Sequence, residues 1–386
     1  MIKAELTELK KLYTQKNCSV SRICGCYVDG DKNKKAQFAR SFLGLPEEEM
    51  FKYFEIFRKA LSGTPGKNCI DLEFLQESVR EDAGGIQTPQ DFLLALRDSK
   101  LKDEDLLDEY FNRIISSFEY VGNYLILVVA DAYDVPGRAM DGAEMEDASD
   151  EIYEYLLTVI CPVNLTEPGL SFNAETGEFH NRVRDWVVEL PMTGFLFPAF
   201  NDRTADIHSV LYYSKDAENL NESFIELMLG CAQPMSAGAQ KETFQALVEE
   251  TLGETCQFEA VKNIHEKMGE LIEEHREELT PLMLDRGELK GLFASSGVDN
   301  AHMAEFEQHY EAAAGDSAPL MVSNVYNPRS FDIKTPDVVI KVKPDRTDLI
   351  DERTVDGRPC LVVELGGEVV VNGIQVKSGR RTEEDE

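Results

Sequence analysis

Positive charge is what this chain has least of. Its 386 residues include 39 Lys and Arg against 72 Asp and Glu, a formal net charge of −33. A surface of that sign repels a DNA backbone or an anionic bilayer at long range, so direct DNA contact and membrane attachment are not expected. The basic spots are small: Lys32, Lys34 and Lys35 beside one turn, and Lys377, Arg380 and Arg381 near the end of the sequence. Long apolar runs are missing too. The longest, Tyr124 to Ala130, has seven residues, which suits a buried strand and falls far short of the roughly 20 a membrane-spanning helix needs. Met1 to Tyr13 mix charged and apolar side chains at helical spacing, so no secretory signal is expected. Eight cysteines are scattered without the spacing of a small disulfide scaffold, which points to reduced thiols in a cytoplasm.

Catalytic signatures are also scarce. Asp29-x-Asp31-x-Asn33 begins like a calcium loop, but the sixth and twelfth positions, where glycine and a bidentate Glu belong, are Lys34 and Arg40. A polar hairpin turn is expected there. Gly63 to Lys67 echoes a phosphate loop without its glycine spacing or its Ser/Thr, and reads as a helix stop. His265-Glu266 lacks the second imidazole of a zinc-protease helix, since position 269 is Gly. His302 and His309 are two helical turns apart, roughly 10 Å, too far to share a metal unaided. No Gly-x-Ser-x-Gly elbow occurs. No cofactor is expected.

What is present is patterned apolar sequence, 42% of the chain. Helical spacing with acids first and bases last marks a helix opening at Pro46-Glu47, carrying Met50, Phe54, Phe57 and Leu61. A second runs from about Asp103 to Phe118, and a loop is expected over 81–89 between them. The period then changes to two, predicting strands at Tyr124 to Tyr133, Ile152 to Val163, Trp186 to Phe200 and Asp206 to Tyr213, with a bulge or edge near Pro191 and Thr193-Gly194. Helices return from Leu220 to Ala313, the longest being Phe258 to Arg276, whose Val261, Ile264, Met268, Leu271 and His275 form a packing seam. Hairpin turns at Asp356-Gly357 and Asn372-Gly373 mark a β-rich tail. The expected fold is α+β: a central antiparallel sheet flanked by helices, a helical second half and a small β-rich C-terminal segment. The divisions are 1–118 (hairpin and helices), 119–218 (sheet), 219–316 (helical), 317–378 (β-rich) and 379–386 (disordered tail).

Three groups are candidate sites. Cys18, Cys24 and Cys26 fall on even positions of an apolar segment, so in a strand they share one face with Val20 and Val28, a core face before a metal or redox site. Same-face neighbours stand roughly 6.5 to 7 Å apart, too far for two thiolates to hold one zinc without a kink, which Gly25 could supply. Asn201, Asp202, Arg203, Asp206 and His208, with Arg182, Arg184 and Asp185 upstream, sit between strands. Strand ends can converge such groups into an acid/base or metal site, and a salt-bridged loop is the alternative. Asp131, Asp134, Asp141, Glu144, Glu146, Asp147 and Asp150 form an acidic stretch that could hold magnesium, or else a solvated hairpin connection.

The segment Arg22 to Asp29, the helix Leu45 to Phe57, Cys161 to Leu165 and the block 184–213 resemble an uncharacterised clostridial (Firmicute) domain-of-unknown-function family of cytoplasmic proteins. The order of elements is also similar to the bacterial 37-kilodalton nucleoid-associated protein family: an apolar strand at Asn123 to Ala130, further strands, a helix-rich block at Glu222 to Gly253 with Phe224 to Cys231 and Ser236 to Phe244, and a short β-tail. That second resemblance implies a non-catalytic nucleoid-associated or DNA-metabolism adaptor, oligomeric and acting through protein contacts. Its acidic surface would favour basic or nucleoid proteins over DNA itself. The alternatives are a metal-assisted hydrolase or nuclease using Asn201 to His208, and a redox or metal sensor using the three cysteines.

Overall fold

The computed structural model describes residues 1–75, 88–138, 144–253, 256–276, 278, 280–298, 300–314, 319–365 and 369–376. Most of the loop expected over 81–89 lies outside them, as do the tail 379–386, the basic residues at 377, 380 and 381, and the side chains at 138–150 with five of the seven acids named above. The chain divides into two units, Met1–Gly238 and Ala239–Glu386.

The first unit is organised by one antiparallel sheet. Its elements are α1 (Lys3–Lys10), β1 (Arg22–Val28), β2 (Lys34–Ser41), α2 (Glu47–Ala60), β3 (Cys69–Glu73), α3 (Pro89–Asp98), α4 (Glu104–Ser117), β4 (Asn123–Arg138), β5 (Glu144–Leu165), β6 (Leu170–Asn173), β7 (Glu178–Asn181), β8 (Trp186–Val188), β9 (Thr193–Phe197), β10 (Ala199–Asn201), β11 (Thr204–Asp206), β12 (Ser209–Ser214) and a π-helical turn, Phe224–Leu229. The large sheet runs β2-β1-β4-β5-β9-β12-β3, with β8 added beside β5. Strands from before and after residue 118 therefore belong to one layer: β1 pairs with β4 along its whole length, Arg22 opposite Ala130 and Val28 opposite Tyr124. The expected boundary at 118 does not divide the fold.

Alternation sends the two faces of this sheet into separate cores. Cys24, Cys26, Val28, Ile126, Val128, Leu156, Ile160, Phe195 and Phe197 pack under α3, α4 and the π-helical turn. Ile23, Leu127, Val129, Leu157, Val159, Leu196 and Leu211 pack under α1 and α2. Covering both faces explains why the central strands are apolar without alternation. The helices announce themselves locally: Asp103 accepts from the amides of Asp105 and Leu106 at the start of α4, and Thr88 with Asp91 forms a capping box before α3.

Two strands expected as continuous are interrupted. Trp186 to Phe200 breaks into β8, β9 and β10, and the gaps hold Pro191 and Pro198, which have no N–H for a ladder. Asp206 to Tyr213 breaks at Ile207-His208, separating β11 from β12.

The second unit has α5 (Ala237–Leu252, entering the unit at Ala239), α6 (Phe258–Glu274), β13 (Met283–Leu284), α7 (Arg286–Ser295), α8 (Asn300–Met303), α9 (Phe306–Ala314), β14 (Leu320–Met321), α10 (Val322–Val325), β15 (Phe331–Lys334), β16 (Val339–Val342), a 3-10 turn Pro344–Leu349, β17 (Ile350–Val355), β18 (Arg358–Val363), β19 (Val369–Val371) and β20 (Ile374–Val376). Phe293 packs against Phe244 and Phe306 at 6.0 and 5.4 Å between ring centroids. Of the seam expected on α6, Ile264 and Met268 are buried. The tail hairpins turn at Asp356-Gly357 and Asn372-Gly373, all four residues at positive φ, as their sequence predicts. The molecule is thus α+β.

Candidate functional site

The cysteine segment is structural in its local geometry. β1 begins at Arg22, so parity holds for Cys24, Cys26 and Val28 but not for Cys18 and Val20, which precede the strand and pack in the opposite core. Cys18 therefore lies across the sheet from the other two. Gly25 makes no kink: it keeps register with Phe38 on β2 and Leu127 on β4. A Cβ at Gly25 would collide with the ring of Phe38, so the glycine gives the edge strand's aromatic side chain its seat. Burial pushes the Cys18 and Cys26 thiols up to about 11 and raises that of Cys24, which keeps all three protonated at neutral pH and poor as nucleophiles.

The group at 201–208 is divided between separate contacts. Asp202 and Arg203, at φ 52° and 61°, form the two-residue turn between β10 and β11. Asn201 donates to Asp206 at 2.9 Å, and Asp206 accepts the His208 amide at 3.1 Å. Asp202 and His208 are exposed. Arg203 turns away toward α1: its Nη2 lies 2.9 Å from Oε1 of Glu8, both side chains only 13% exposed, and donates to the carbonyl of Pro136 at 3.0 Å. Tyr133 donates to the same Glu8 carboxylate at 2.9 Å. This is a clasp joining the hairpin, α1 and β4. Upstream, Arg184 donates to the carbonyl of Thr166 at 2.6 Å.

Asp131 is held as firmly. Its carboxylate accepts from Ser19 at 3.1 Å, Tyr155 at 3.3 Å and the Ala132 amide at 2.9 Å, while Tyr13 donates to Tyr155 at 3.2 Å. Burial raises the pKa of Asp131, against the effect of those hydrogen bonds. A cavity of about 190 Å³ opens beside it where β1 leaves β4, with Arg97, Lys100 and Glu154 on its walls. Both cations there already have carboxylate partners, Asp98 for Arg97 and Glu154 for Lys100. Among the described residues, no group of three His, Cys, Asp or Glu side chains is placed to hold a metal ion. Nor is any described helix long and apolar enough to cross a membrane.

The surface that sequence reasoning missed is the ribbon leaving the end of β5. Val163 to Leu165 pair with β8, Leu165 opposite Trp186. Beyond that ladder the chain continues as the isolated hairpin β6–β7, closed by Asn173 and by Gly177 at φ 72°. Phe172 stands directly opposite Phe179, their rings 5.3 Å apart, and Leu170 is two residues from Phe172 on the same face. The other face carries Ser171, Asn173, Glu178 and His180. Such a ribbon is amphipathic, yet Leu170, Phe172 and Phe179 are 76, 57 and 71% exposed. Trp186, the single tryptophan, and Val187 at its base are also exposed. The signal was available: Leu-x-Phe and Phe alternating with polar residues around an Asn and a Gly.

One large antiparallel sheet with helical layers on both faces and an apolar ribbon beyond them places the protein among mixed α+β proteins built around a central sheet. More particularly, the chain belongs to the family described as Domain of unknown function (DUF4317), whose model matches residues 1–374. A search of the curated proteins returned no match.

Proposed function

We propose that the protein is a non-catalytic adaptor that binds other proteins through the ribbon at 170–190. The carrying observation is the open apolar face of Leu170, Phe172 and Phe179. An isolated two-stranded hairpin is marginally stable in water, and a partner laid over this face would bury rings that the first unit itself leaves in solvent. The net charge of −33 favours basic partners and steers them in. Nucleoid or DNA-processing proteins fit that charge, and the resemblance in element order supports the same choice. The division of Asn201 to His208 between a turn, a cross-strand pair and a clasp favours this reading over a hydrolase.

Affinity capture of the full chain, with and without nuclease, tests it against Phe172→Asp combined with Phe179→Asp. Basic nucleoid or DNA-processing proteins should be retained by the parent chain after nuclease and lost from the variant. Recovery of none, or equal recovery by both chains, would contradict the proposal.

A further inference from the structure

The second unit contains a cavity that the adaptor reading does not use. It has a volume of about 550 Å³ and lies among α5, α6 and the segment from α10 to β15. Its floor is apolar, with Phe244, Tyr326 and Phe331 all buried. His265 of α6 stands against the last two, its ring centroid 4.5 Å from that of Tyr326 and 4.8 Å from that of Phe331. A concave site of roughly 300 to 1,000 Å³, lined by aromatic and aliphatic groups with a few polar atoms, is the usual form of a small-molecule pocket.

Two features define what would enter. The Nδ1 atom of His265 is buried and has no hydrogen-bond partner among the described residues. Most buried polar atoms do find one, so this nitrogen is available to a ligand. Burial also lowers the pKa of the ring, which keeps it neutral at physiological pH. At the rim, Lys241 and Lys334 are exposed, and neither makes an ion pair among the described residues. Unmatched cations at a pocket mouth are notable in a chain with so large an acidic excess. Of the two rim acids, Glu249 and Asp332, the second already accepts from the Ser330 hydroxyl at 2.6 Å.

We propose that this cavity binds a planar aromatic anion, its ring against Tyr326 and Phe331 and within reach of His265 Nδ1, its anionic group between Lys241 and Lys334. Ring contact supplies apolar burial, and the lysines select charge.

Calorimetric titration of the full chain with 6-hydroxynaphthalene-2-sulfonate, whose ring hydroxyl can donate to His265 Nδ1, and with the neutral 2-naphthol, which keeps the hydroxyl and lacks the sulfonate, provides the test. The sulfonate should bind at one saturable site, more tightly than the neutral probe. Lys241→Glu with Lys334→Glu, both at exposed positions, should weaken the sulfonate by about tenfold or more and leave the neutral probe unchanged. His265→Phe, which keeps an aromatic ring and removes the nitrogen, should weaken both probes. Phe172→Asp in the ribbon should change neither, so failure of this site and failure of the adaptor reading are read separately. Absence of saturable binding, equal affinity for the two probes, insensitivity to the lysine pair or loss of binding in the ribbon variant would each overturn the proposal.

Discussion

In β1, Cys24 and Cys26 face one helical layer, Ile23 faces the other, and all three have no exposed surface. In the ribbon, Leu170, Phe172 and Phe179 line one face of a strand pair with comparable apolar character and remain 57 to 76% exposed. Alternation decides which side chains share a face in both places. Whether that face is covered depends on a second layer, which α3 and α4 supply to the sheet. Among the described residues of the first unit nothing supplies the ribbon with such a layer, and the proposed role in binding rests on that difference.

The comparison breaks most clearly in a pair of stability measurements. Leu157→Ala, in the centre of the sheet, should cost about 2 to 5 kcal/mol in denaturant unfolding, the usual range for a deeply buried leucine. Phe172→Ser should stay within about 0.5 kcal/mol, as an exposed substitution does. Comparable losses would mean that the ribbon is packed in solution and not open.

A smaller effect separates structural from reactive polar groups. Arg203→Ala leaves the largely buried Glu8 carboxylate without its guanidinium, at a cost of about 2 to 3 kcal/mol. His208→Ala, at an exposed position on the same stretch, should cost within about 0.5 kcal/mol. Equal costs would remove the clasp interpretation.

The smallest expected effect is a pH dependence at Asp131. Its folded-state pKa lies above the ordinary value of 3.8, so the native state holds the proton more tightly than the unfolded chain. Its contribution to stability is therefore lost as pH rises through the interval above 3.8, and is smaller at pH 7 than at pH 3. Asp131→Asn does not titrate, so its stability relative to the parent should improve between pH 3 and pH 7. The opposite trend in paired thermal melts would show that the hydrogen bonds from Ser19, Tyr155 and Ala132 outweigh burial.

Much of the fold was legible where the signal is local. Acids at Glu47 to Glu49 and the cap at Asp103 mark α2 and α4, and doubly apolar sequence marks β4. The turns at Asp356-Gly357 and Asn372-Gly373 lie where their residues predict. What escaped depends on distant contacts. Parity placed Cys24 and Cys26 together but carried Cys18 with them, because nothing in the local sequence shows that pairing starts at Arg22. Arg203 read as part of a reactive cluster because its partner, Glu8, is 195 residues away. The ribbon had a readable hairpin pattern, but its exposure follows from the absence of a covering layer among the described residues of the first unit, which no local pattern encodes.

The most direct measurement of the central claim is site-specific photocrosslinking in cells, with the photoreactive residue at position 179 and a control at the exposed Phe51 on α2. Position 179 should give a discrete adduct with a basic nucleoid or DNA-processing protein, and position 51 should not. No adduct at 179, or the same adduct from both positions, would contradict the account.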